Sequence, residues 1–417
     1  MKILLVNTSE RVGGAAIATG RLLHALNRNG VKAQMLVRDK QTDNAYVSRI
    51  PPSPWHRAKF VAERAEIFVR QGFSKEDLWA FDTGAHGIDI VHLPEFEEAD
   101  IIHLNWVNQA MLSLRSLERV LRSGKPVVWT MHDMWPAMGV CHHSEECLKW
   151  QTGCGNCPKL RRPGPHDMSA RVYARKKAAY SAARNLRLVA CSDWLAGIAR
   201  RAPLLEGFDV ESIPNAIDTT FYQPGNKVAA RRALGLPEDK KLLLFVAYKA
   251  TDKKKGIDYL IEATERIKAR HPEWIPHLGV VPVGLEAATL RDAFACDAYP
   301  QEYVTKPETM RLLYQAADLL LMPTLMDNLP NTIVEGMCCG LPCVGFRVGG
   351  LPQMVHDGLN GYLAPLRDAE NLARLTLETL ADDRYQKLCL SAHETAVRNY
   401  SEEAVAKQYI ALYESMC

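Results

Sequence analysis

Within MPTLMDNLPNTIVEGMCCGLPCVGF two carboxylates, Asp327 and Glu335, flank the expected start of a short helix near Asn331. A strand ending at Pro323 would deliver Asp327 to a cleft mouth, while Glu335 would hang from the helix's first turns. The two acids could then grip different parts of one elongated polyhydroxyl ligand. Between them, the backbone N–H groups at Asn331 and Thr332 offer an anion site of favourable dipole polarity. A diphosphate flanked by hydroxyls fits this pattern. The plainer reading makes Asp327 a cap-region acid and Glu335 a solvated helix residue.

A second group occupies CHHSEECLKWQTGCGNCP, Cys141 to Pro158. Cys141, Cys147, Cys154 and Cys157 supply four thiolates, enough for a closed tetrahedral zinc site with no open position for catalysis. His142 or His143 could replace one of them. The Cys154-Gly-Asn-Cys157 knuckle is the most specific part, with Gly155 in its tight turn. The expectation is a structural zinc clip; reduced packed thiols are the alternative, and disulfides come last in a cytosolic setting.

The elements that must carry these groups are legible in the apolar runs. KILLVN, residues 2–7, reads as a buried parallel strand, followed by a turn at Gly13 and Gly14 and a helical pattern through Leu22, Leu23, Ala25 and Leu26. The theme recurs in KAQMLVR, in ADIIHLN with a helix from Gln109 to Arg122, in KPVVWTMHD and in LRLVACS. A second series runs through KLLLFVAY, LGVVPVG, YVT, ADLLLMPT and LPCVGF, with helices at 258–269 and 307–315. The fold class is therefore α/β, two Rossmann-like doubly wound domains facing across a cleft, with ligand sites at the carboxyl ends of the strands. SIPNAIDTTFYQPGNK reads as the hinge. The expected domains are 1–223, carrying the insert 141–158 and completed by a C-terminal helix at 400–417, and 224–399.

The 417 residues, 47% apolar and 24% charged, give room for two cores, and a net charge of +3 implies no global attraction to nucleic acid. The opening apolar run is far too short for a signal-peptide core, and no stretch approaches a membrane span, which predicts a cytoplasmic protein. Eleven cysteines there argue for reduced thiols or metal ligation.

The acidic pair, its seven spacers, GLPCVGF and the turn at Gly349 and Gly350 together resemble the signature of retaining glycosyltransferases of family 4. IPNAIDTTFYQP resembles that family's interdomain segment, Lys255-Gly256 its phosphate motif, and Gly13-Gly14 its N-terminal glycine loop. The resemblance covers nearly the whole chain in order and implies the GT-B fold. It implies that Glu335 holds the ribose hydroxyls of a UDP- or GDP-sugar donor and that Asp327, where the family more often has glutamate, contacts the transferred sugar. Lys255 would neutralise the diphosphate with a second basic residue, Lys249, or else Lys253 or Lys254; Gly14 would let the backbone approach the phosphates. His132, in WTMHD, matches the family's cleft histidine, with Asp133 and His103 as secondary candidates. His103 reads equally as a core-edge histidine. Without an Asp-x-Asp pair, no catalytic metal is expected.

The arrangement WTMHDMWPAMGVCHH…CLKWQTGCGNCPKL also resembles a subset of family 4 enzymes from bacterial exopolysaccharide clusters of the colanic-acid type. That implies a saccharide or polyprenyl-diphosphate-linked acceptor. The basic residues between Lys159 and Arg201 read either as a solvated helix face or as an attraction to anionic headgroups at the inner face of the cytoplasmic membrane. Pro54–Phe73 reads as a basic amphipathic helix whose Trp55, Phe60 and Phe68 serve core packing or a peripheral membrane contact. The competing functions are a non-catalytic sugar-nucleotide-binding partner and an epimerase on the same scaffold. RVGGAAIATG lacks the Gly-x-Gly-x-x-Gly spacing of a dinucleotide oxidoreductase.

Overall fold

The computed structural model describes residues 1–75, 78–381 and 383–417. They form two compact units, Met1–Ala216 with Glu402–Cys417, and Ile217–Ser401. Residues 217–223, expected with the N-terminal domain, are bound into the second unit. The Ile217 N–H donates to the Tyr400 carbonyl at 2.8 Å, and the Gln315 side-chain amide donates to the Gln223 carbonyl at 2.8 Å.

The first unit is built on seven strands: β1 (Lys2–Ser9), β2 (Lys32–Asp39), β3 (Val47–Arg49), β4 (Ile101–Leu104), β5 (Val127–Met131), β6 (Leu186–Ala190) and β7 (Asp209–Ser212). All pairings are parallel in the order β3-β2-β1-β4-β5-β6-β7. A parallel strand covered on both faces has no polar side, which is why KILLV is a continuous apolar run. One face packs Phe81, Ile90, Leu104, Trp129 and Leu188. The other packs Leu22, Leu26, Val128 and Val189 against Tyr409 and Tyr413 of the last helix, Glu402–Glu414. His103 ties that helix down, with Nδ1 2.6 Å from the Tyr413 hydroxyl and Nε2 2.7 Å from the Thr130 hydroxyl. Burial pushes its imidazole down to about 3, so it is neutral, and its place is the core edge rather than an acceptor contact.

The second unit repeats the architecture with β8 (Lys241–Lys249), β9 (Leu278–Leu285), β10 (Asp297–Ala298), β11 (Leu319–Met322), β12 (Cys343–Phe346) and β13 (Gly361–Ala364), parallel in the order β10-β9-β8-β11-β12-β13. Two expectations fail locally. The helix expected from Gln109 begins at Leu114, because Gln109 and Ala110 lie in the left-handed region at φ 54° and 60° and the Ser113 hydroxyl caps the later start. YVT forms no strand, since pairing along β9 ends at a bridge to Gln301 and Pro307 then opens the next helix. Among the described residues no helix is long and apolar enough to cross a membrane.

Candidate active site

In each sheet the strand order reverses at its first strand, between β1 and β4 and between β8 and β11, which is where open α/β sheets bind ligands. The loops leaving β8 and β11 carry Lys255 and Asp327. Their side chains meet: Lys255 Nζ lies 2.6 Å from Asp327 Oδ2, both partly shielded from solvent. Two glycines make the approach feasible. Gly256 has φ +80°, and a Cβ there would fall 1.8 Å from the Pro323 carbonyl oxygen; Gly349 has φ +57°, and a Cβ there would fall 1.8 Å from the Asp327 carbonyl oxygen. The Leu325 N–H donates to the Lys254 carbonyl at 3.0 Å and closes the two loops onto each other.

Beyond Asp327 the helix Asn331–Cys338 begins after Pro330, which offers no capping side chain to its first turn. Thr332 points its hydroxyl at the Met322 sulfur, 3.7 Å away. Glu335 is not solvated: it is 8% exposed, and its Oε2 accepts a hydrogen bond from the Tyr314 hydroxyl at 2.8 Å. Lys249 stands apart from Lys255 and Asp327 in its bonding, since its ammonium pairs with Glu286 at 2.8 Å. Lys253 is an exposed residue paired with Asp258 at 3.3 Å.

In the first unit Gly13, at φ +91°, turns the chain into the helix Gly14–Arg28. A Cβ at Gly13 would meet nothing within 4 Å, so the sign of φ rather than crowding asks for glycine. His132 follows β5, with Nε2 3.2 Å from Asn105 Oδ1, and with Thr130, Asn215 and Tyr409 it lines a cavity of about 10 Å³. Burial lowers its pKa to about 4 against the pull of Asp133, so the imidazole is neutral near pH 7. Asp133 is committed elsewhere: it accepts from Trp106 Nε1 and the Trp135 N–H at 2.8 Å each, and it pairs with His142 Nδ1 at 2.8 Å. Burial, the largest single influence, opposes its charge, but the charge and hydrogen bond of His142, the charge of His143 and the Trp135 N–H together hold the carboxyl well below the usual range. His142 does not line the cavity that the four cysteines share.

Cys141, Cys147, Cys154 and Cys157 line one cavity of about 20 Å³. All four are free thiols, and the Gly139 N–H donates to Cys154 Sγ at 3.2 Å. Among the described residues, however, no group of three or more His, Cys, Asp or Glu side chains is placed to hold a metal ion. The zinc clip expected from spacing is thus not preformed. Burial pushes Cys141 up to about 12 and raises Cys154 and Cys157, which favours the neutral thiols. Lys176, counted in the basic stretch, is fully buried beneath them, its Nζ donating to the Trp135 and Met138 carbonyls at 2.5 and 3.0 Å.

The helix Pro54–Arg70 is inverted. Its buried positions are Glu63, Arg64 and Ile67, while Ala58, Val61, Ala65 and Val69 make an apolar stripe on its exposed side. Trp55 and Phe73 at its ends are 71% and 70% exposed, so Trp55 does not serve core packing. Tyr314 is the residue that sequence reasoning missed; Asp133 and His142 were each singled out there, but not as partners of one another. Tyr314 directly follows Leu312 and Leu313 in an apolar run, and nothing in the pattern marks its hydroxyl as bonded to a glutamate.

Both units resemble known proteins. The family model described as Glycosyltransferase Family 4 matches residues 12–221, half of the chain, and the one described as Glycosyl transferases group 1 matches residues 240–382. The D-inositol 3-phosphate glycosyltransferase of Thermobifida fusca is 28% identical over 215 residues, 49% of this chain and 49% of that one. Over that match the chain spans about half the length of its relative. D-inositol 3-phosphate glycosyltransferase 2 of Catenulispora acidiphila is 26% identical over 378 residues, 87% of this chain and 80% of that one. The solved structure of Anabaena HepE in complex with UDP-glucose superposes with a TM-score of 0.64 at 17% identity, covering 100% of both chains. The fold is that of such two-domain proteins, GT-B.

Proposed function

We propose that this chain, which belongs to glycosyltransferase family 4, transfers a sugar with retention of configuration from a UDP- or GDP-sugar to a saccharide or polyprenyl-diphosphate-linked acceptor in bacterial surface polysaccharide synthesis. The observation that carries this reading is the Lys255–Asp327 contact at the carboxyl ends of β8 and β11, one helix start away from Glu335. In the reading, the donor diphosphate takes the place of Asp327 at the Lys255 ammonium and receives the N–H groups at Asn331 and Thr332. Asp327 turns to the sugar, and Glu335 holds the ribose hydroxyls. As the glycosidic bond to phosphate breaks and the sugar becomes oxocarbenium-like, negative charge grows on the departing diphosphate. Lys255 and the helix N–H groups are arranged to stabilise it, with no step assigned to a metal ion. The acceptor hydroxyl attacks from the face that the phosphate vacates, and the phosphate takes its proton. Neutral His132, with Gly13, Gly14 and Lys249, completes the set of proposed contacts.

The cysteine loop is proposed as a structural clip after β5. The donor set of four sulfurs round one cavity is what favours zinc there, although binding it requires the thiols to shed protons that burial retains. The inverted helix favours a peripheral place at the inner face of the cytoplasmic membrane, where a lipid-linked acceptor would reside. The relatives' names favour a second reading, a small polyol phosphate as acceptor. Incubating the protein with UDP- and GDP-sugars and each acceptor class, and following nucleotide release, tests the proposal: a transferase turns over donor when acceptor is added, and a non-catalytic binding partner releases none.

A further inference from the structure

Glu335 is a buried carboxylate on a short helix, and burial of such a group demands a partner of fixed position. The partner is Tyr314 on the helix Pro307–Ala316, whose hydroxyl donates to Glu335 Oε2 at 2.8 Å. Tyr314 is itself 1% exposed and cannot swing away. Its ring stands edge-on to Tyr222, centroids 6.2 Å apart, and Tyr222 in turn stands edge-on to Phe221 at 4.9 Å. Arg311, one turn before Tyr314 on the same helix, stacks over Phe221 at 4.6 Å. The ring packs close to the backbone of the helix beside Glu335: a Cβ at Gly336 would lie in ordinary contact with Tyr314 Cδ1, at 3.5 Å.

From these contacts we infer that Tyr314 is a positioning residue for sugar-nucleotide recognition: it fixes the plane of the Glu335 carboxylate so that the acid presents one orientation to a pair of vicinal hydroxyls. The inference rests on the proposed role of Glu335 in holding the donor ribose. A carboxylate bridging two adjacent hydroxyls needs its plane aligned with both, and an unanchored glutamate on a helix samples several rotamers. A hydroxyl donating to one oxygen from a packed ring removes that freedom before ligand arrives, so that discrimination for a ribose with both hydroxyls is built into the free protein. The aromatic chain through Tyr222 and Phe221 anchors the ring from residues 217–223, at the entrance of the unit.

The test is calorimetric binding of UDP, 2′-deoxy-UDP, GDP and 2′-deoxy-GDP to the full chain and to Tyr314→Phe, which keeps the ring and removes the hydroxyl. The wild type should prefer a ribonucleotide over its deoxy analogue by about tenfold or more. Tyr314→Phe should reduce that preference to within about threefold while the deoxy analogue binds almost as before. A purely structural role would weaken both nucleotides alike and leave their ratio intact; that result overturns the inference and leaves the reading of Glu335 standing. A wild type that binds none of the four overturns both. Should Tyr314→Phe melt below the assay temperature, Tyr314→Met fills the same slot without a donor and is read by the same ratio.

Discussion

The Lys255 ammonium and the Asp327 carboxylate hold each other at 2.6 Å from the loops that leave two adjacent strands, β8 and β11, and the β11 loop is flanked by Gly256 on the first of these and by Gly349 after β12, where a Cβ would clash with its backbone. The pair leaves neither charge unbalanced, and under the proposed function it is the contact that a donor diphosphate would displace. Removing the ammonium should therefore act on phosphate and not on the nucleoside. Lys255→Ala is expected to weaken UDP or GDP binding by about tenfold or more and to leave uridine or guanosine unaffected. Calorimetry with both ligand classes decides it; equal losses would mean that the lysine only supports the loop.

Glu63 gives a pH prediction. It is fully buried beside Asp82 and Arg64, and burial, then the Asp82 charge, raise its pKa to about 7. Because the folded value lies above the unfolded one, the folded state binds more protons between roughly pH 4.5 and 7, and stability falls as pH rises through that window. Glu63→Gln removes the titration while keeping an acceptor for the Thr83 and Gly84 N–H groups. The variant should gain on the order of 1 kcal/mol at pH 8 relative to its difference from wild type at pH 5. Denaturant unfolding at the two pH values measures it, and parallel pH curves for both proteins would refute the assignment.

The exposed stripe of the Pro54–Arg70 helix predicts partition to a lipid surface. Phosphatidylglycerol-containing vesicles should co-sediment the wild type, and Trp55→Ser combined with Phe73→Ser should lower the bound fraction severalfold without shifting the melting temperature. Equal sedimentation of both proteins would assign the stripe to some other surface.

For the cysteine loop the expected result is about one zinc per chain in protein purified without chelator, lost in Cys154→Ser with Cys157→Ser, by inductively coupled plasma mass spectrometry. Metal-free protein with an unchanged melting temperature after chelation would leave the four as packed thiols.

Most of the scaffold was legible because parallel strands covered on both faces leave nothing but apolar residues to write, as in KILLV or LLLM. The loops at Gly256 and Gly349 were legible through the family resemblance, and the steric need for glycine there became visible only in the structure. The rest depended on partners far apart in the chain. Nothing near Asp133 announces that Trp106 and His142 will consume its oxygens, and nothing near Glu335 announces Tyr314. The Gln109–Arg122 helix failed for a local reason: two left-handed residues interrupt a stretch whose composition alone suits a helix. The inverted helix misled because apolar spacing shows that a stripe exists but not which side of the helix the core takes.

The central claim is tested most directly by sugar transfer itself. Purified wild type and Glu335→Ala would be incubated with a panel of UDP- and GDP-sugars and saccharide, lipid-linked and inositol phosphate acceptors, and the products read by mass spectrometry and anomeric proton couplings. One donor should yield a glycoside with its anomeric configuration retained, at a rate reduced at least about a hundredfold in Glu335→Ala. A glycoside of inverted configuration, or wild-type and variant rates that agree, would contradict it.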